Sequence, residues 1–91
     1  MPRGEPLIEN RFASTGELHV GDEVWAFARG SFRRARIVTV PRIPFETPVT
    51  VGYFVRSGSL RIQKVPLSRL RRNMRSRALP PPSMDQIRGA L

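Results

Sequence analysis

Apolar and polar positions alternate with a period of two through the middle of this chain. Ala35 and Ile37 share one side of a strand whose other side carries Arg34 and Arg36. Val49, Val51, Tyr53 and Val55 oppose Thr50, Gly52, Phe54 and Arg56. Leu60 and Ile62 oppose Arg61 and Gln63. This is the signature of half-buried β-strands. Gly21-Asp22, Arg29-Gly30-Ser31 and Ser57-Gly58-Ser59 punctuate the pattern at the spacing of tight reversals. Strands are therefore expected over residues 23–28, 32–40, 49–56 and 60–65. A 3₁₀ turn over 66–70 leads to a short last strand at 71–73. Pro41, Pro44 and Pro48 exclude regular pairing between the second and third strands, because proline has no amide donor. About five short strands, one face apolar and one rich in arginine, imply an all-β fold that curls into a small closed or half-closed barrel. Trp25 is expected in its core.

The flanks break the alternation. Residues 1–17 hold Pro2, Gly4, Pro6 and Gly16 without a sustained period and read as a loose arm, with Leu7, Ile8 and Phe12 available to pack on the body. Residues 18–73 are the folded body. Residues 74–91 read as a flexible tail, basic at first and then stiffened by Pro80-Pro-Pro82. Ser83 and Gln86 have capping-box spacing, so a short helix over 84–90 is available there. A helix this short is marginal alone. Met84, Ile87 and Leu91 share its apolar face and are candidates for docking a partner.

Charge sharpens the functional reading. The 91 residues carry 16 Lys and Arg against 7 Asp and Glu, a net charge of +9. Residues 1–23 sum to −3, residues 24–77 to +12 and residues 78–91 to zero. A basic body of this density attracts polyanions. Lys64 is the sole lysine. Arginine grips phosphate as a planar fork and stacks on bases, so an arginine surface favours contact over mere solubility. A high-GC coding sequence also enriches arginine. The chain has no cysteine, which excludes disulfides, thiolate metal sites and a cysteine nucleophile. No apolar run approaches the length of a membrane span. The expected setting is intracellular, with nucleus and cytoplasm undistinguished.

The stretch LHVGDEVWAFARGSFRRARIVTV, then VTVGYFVRSGS and VPLSRLRR, resembles a Tudor-type domain over residues 18–72. The turn Val20-Gly-Asp22 opens the first strand, Phe32 precedes Ala35-Arg-Ile37, and Leu67-Ser-Arg-Leu70 closes the barrel. The same Leu-Ser-Arg-Leu ending resembles the C-terminal DNA-binding barrels of integrases. Both resemblances imply an SH3-like barrel. The Tudor resemblance further implies an aromatic cage for a methylated Lys or Arg. Its positions fall near Ala28, Arg33, Phe54 and Ser57, where only Phe54 is aromatic, with Phe27, Phe32 and Tyr53 one place away.

Catalytic chemistry finds little support. His19 is the sole histidine, the carboxylates gather before residue 24, and no glycine-rich phosphate loop is present. No catalytic, metal or cofactor site is expected. The leading expectation is a non-enzymatic module that binds RNA or DNA. Arg29, Arg33, Arg34, Arg36, Arg56, Arg61 and Lys64 would supply a barrel face, extended by Arg69, Arg71, Arg72, Arg75 and Arg77. Phe32, Tyr53 and Phe54 are candidates for stacking or a cage. With about five phosphates neutralised on duplex, log K would fall against log salt with a slope near −4.5. The alternative is a protein-recognition adaptor for a methylated peptide or an acidic partner. Either fits a subunit of a larger ribonucleoprotein or chromatin assembly.

Overall fold

The computed structural model describes residues 10–42, 48–74 and 77–91. A 3₁₀ turn at Thr15–Glu17 precedes five strands, β1 (Glu23–Ala28), β2 (Ser31–Thr39), β3 (Val49–Phe54), β4 (Leu60–Val65) and β5 (Leu70–Arg71); a second 3₁₀ turn at Leu67–Arg69 links β4 to β5, and a helix, α1 (Met84–Ala90), follows. The strands form a single antiparallel sheet in the order β4-β3-β2-β1-β5. The fold is all-β apart from α1. The β1–β2 reversal is a two-residue turn with Arg29 at φ 53 and Gly30 at φ 86. Positive φ at both central residues matches the twist of the flanking strands.

One face of the sheet is the core. β1 contributes Val24, Ala26 and Ala28; β2 contributes Ala35 and Ile37; β3 contributes Val49, Val51 and Tyr53. Val65, Leu70 and Leu18 complete it. Trp25 is a correction to the sequence expectation. It is half-buried on the opposite face. On β1 the inward positions belong to Val24, Ala26 and Ala28, so the parity of the strand puts Trp25 on the other face. β4 is also inverted relative to the alternation as first read. Ile62 pairs with Gly52 and Arg61 pairs with Tyr53, so Leu60 and Ile62 lie on the outer face while Arg61 and Gln63 have the parity of the core. Gln63 meets this polar burden by accepting the Tyr53 hydroxyl hydrogen bond. β2 carries a register shift between Ile37 and Thr39. Bulges of this kind increase strand twist.

Both flanks are built onto the body where described. Phe12 packs against the core. Asn10 brackets β5, its carbonyl accepting from the Arg72 amide and its side chain from the Asn73 amide. Leu7 and Ile8 lie outside the described residues. At the other terminus, Ser83 and Gln86 form a reciprocal capping box for α1. Seven residues cannot hold a helix by themselves; tertiary contact does so here. Ile87 is 0% exposed and lies over Gly52 on the outer face of β3. A Cβ at Gly52 would stand 3.0 Å from Ile87 Cδ1, a contact tight enough that Ile87 would have to shift to admit one. Arg36 Nε donates to the Pro82 carbonyl at 2.6 Å and its Nη1 to the Gly21 carbonyl at 2.9 Å. The segment read as a free tail is thus clamped across the sheet.

Candidate functional site

The topology sorts the cations by end. β1 to β4 form an up-and-down meander, so the β1–β2 and β3–β4 reversals fall at the same end of the sheet. β5 runs antiparallel to β1 with Leu70 opposite Ala26, which brings the preceding 3₁₀ turn to that end too. Arg29 and Arg56 occupy or adjoin the two reversals, Arg61 is the second residue of β4, and Arg69 closes the 3₁₀ turn. All four are exposed. Among the described residues none of their side chains makes a hydrogen bond or ion pair.

The opposite end is electrically different. Glu17, Asp22 and Glu23 gather there, and nearby arginines are spent on them. Arg34 meets Glu23 at 2.8 Å, and Arg36 approaches the same carboxylate at 3.7 Å. Arg72 pairs with Glu17 at 2.7 Å and lies 4.4 Å from the Phe12 ring centroid. The Ala13 amide, then the Ser14 amide, and also Arg72 hold the Glu17 carboxyl below its ordinary value of 4.5.

The predicted arginine face is therefore divided. Arg33 has core parity and does not join it. Its guanidinium lies 5.8 Å from the Tyr53 ring centroid and donates to the carbonyls of Ala28 and Arg29, sealing the core beneath the β1–β2 turn. Arg36 is engaged under the C-terminal segment. Arg71 lies 5.4 Å from the Phe32 centroid and donates to the carbonyls of Ser68 and Leu70. Burial, and secondarily Arg11, lower its affinity for its proton. Lys64 is exposed but pairs with Thr50, away from the reversals. Arg77 is exposed and Arg75 lies outside the described residues.

The aromatics divide as well. Tyr53 is 0% exposed and cannot stack on a ligand or line a cage, which corrects that expectation. Its ring is a core wall, with Gln63 and Arg33 covering its polar edge and face. Phe32 and Phe54 stay on the outer face near the unpaired arginines, joined by Phe27, which was not among the aromatics chosen for the site. Phe27 is 36% exposed and packs edge-on against Phe32 at 5.2 Å between centroids. Its signal was parity: with Val24, Ala26 and Ala28 inward, Trp25 and Phe27 must face out. Phe32, Arg34, Phe54, Arg56, Arg77 and Leu79 line a cleft of about 250 Å³ at this end. Of the proposed partner-docking residues, Ile87 is consumed within the chain, Met84 is half-buried and Leu91 is exposed. Three residues therefore do not form one free apolar face.

The chain matches no protein-family model, no curated protein and no solved structure.

Proposed function

We propose that this chain is a non-enzymatic nucleic-acid-binding module, built on an SH3-like barrel of the Tudor type, that grips phosphates at the end of the sheet carrying both hairpin reversals. The observation that carries this reading is the selective pairing of its cations. Arginines near the carboxylates are neutralised. Arg29, Arg56, Arg61 and Arg69 lie at the same end of the sheet, without partners among the described residues. Unpaired guanidiniums raise the local concentration of phosphates and bind them in a bidentate manner. Arg29 adds weight, because a left-handed turn position favours Asn or Gly, and a longer side chain there carries a conformational cost. Backbone strain of this kind gathers at functional sites. Tudor-like reading of a methylated peptide is the weaker option, since Tyr53 is lost to the core and one face of Phe32 is taken by Arg71.

The test separates placement from net charge. Arg29→Glu with Arg56→Glu changes the charge by as much as Arg42→Glu with Lys64→Glu, two exposed cations away from the reversals. Binding to labelled RNA and DNA should fall more than about tenfold for the first pair and remain near wild type for the second. Equal losses would reduce the effect to overall charge and overturn the site.

A further inference from the structure

The cleft beside the unpaired arginines has a chemistry that phosphate contact does not explain. Phe32 and Phe54 line it together with Arg33, Arg34, Arg56 and Arg77. Arg34 is held in place by Glu23, whereas Arg56 is unpaired. Leu79, also in the lining, comes from the C-terminal segment that Arg36 and Ile87 anchor across the sheet. The volume of about 250 Å³ lies under the ~300 Å³ at which drug-sized ligands begin to be enclosed, so it suits one flat ring system. A cleft lined by aromatic residues next to a free guanidinium offers a stacking surface for a base and a partner for its phosphate.

Resting on the phosphate-binding reading above, we infer that this cleft receives an unpaired nucleobase and that the protein selects single-stranded over duplex nucleic acid. In a duplex the base faces are covered by their neighbours and cannot enter without being flipped out at a cost. In a single strand they are available, and stacking on an aromatic ring is tolerant of sequence.

The probes are fluorescent strands of about ten nucleotides, in ribose and deoxyribose forms, a duplex of the same length, and an abasic strand that keeps the phosphates without the bases. The wild-type protein should bind the base-bearing strands about tenfold more tightly than the abasic strand at one salt concentration, with the duplex also weaker. Phe54→Ala should erase the difference between base-bearing and abasic strands while leaving abasic binding unchanged. Equal binding of base-bearing and abasic strands by the wild type, or tighter binding of duplex, would overturn the single-strand assignment while leaving phosphate binding intact. Failure of every probe to bind would instead remove the phosphate reading and this inference with it. The wild-type comparison decides the matter even where Phe54→Ala does not fold.

Discussion

Arg29 shows how one residue can weigh stability against function. It holds a left-handed turn position at φ 53 while its side chain remains unpaired at the positive end. Asn is better suited to that conformation. Arg29→Asn should therefore raise stability by about 0.5 kcal/mol, read as a higher urea midpoint, while weakening polyanion binding. A variant that loses stability and keeps affinity would remove Arg29 from the account. Tyr53 makes the opposite case. Tyr53→Phe should cost about 1 kcal/mol through its lost bond to Gln63, with nucleic-acid affinity unchanged. Reduced affinity at unchanged stability would place the ring in the site after all. At this scale the sequence was legible for Ile37 and Val51, whose place in the alternation left one inward side, whereas Tyr53 was chosen for the site although the same alternation put it beside Val51. The sequence misled at Trp25, because size suggested burial while Val24, Ala26 and Ala28 hold the inward side of β1.

Strands were legible as elements because turn glycines and prolines bounded them. β1 and β4 occupy the spans their punctuation implied, while β2 and β3 end one or two residues early. What alternation cannot supply is the partner of each face. β4 looked apolar through Leu60 and Ile62, yet these serve the outer face, where the C-terminal segment provides cover. That segment was hidden from a local reading because what holds it is distant in the chain: Arg36 on Pro82 and Gly52 beneath Ile87. Gly52→Val should push Ile87 off the sheet and cost about 2 kcal/mol. Limited proteolysis should then cut between the body and α1 faster than in the wild type; unchanged cleavage would contradict the clamp. The loop before β1 answers to acid. Glu17 is held below 4.5 by the Ala13 and Ser14 amides and then by Arg72, so its contribution is present above that pH and fades as pH falls through its folded value. The Ala13 amide resonance should titrate with a midpoint below 4.5, and Glu17→Gln should abolish that titration.

Over the whole molecule, net charge tells less than its arrangement. Within the +9 total, the described residues include a partly neutralised end and an unneutralised one. Sequence counting gave the excess of arginine but could not tell which guanidiniums were already paired, because Arg72–Glu17 and Arg34–Glu23 join distant positions. Pairing removes Arg33, Arg34, Arg36, Arg71 and Arg72 from the twelve candidates, and position singles out Arg29, Arg56, Arg61 and Arg69 among the described residues at the end with the reversals, which lowers the expected number of phosphates. The most direct test of this account is the anisotropy of a labelled single strand titrated with the wild-type protein across a series of salt concentrations. Four phosphate contacts predict a plot of log K against log salt with a slope of about −2.8. A slope near zero would contradict the central claim that this end of the sheet is a phosphate-binding surface.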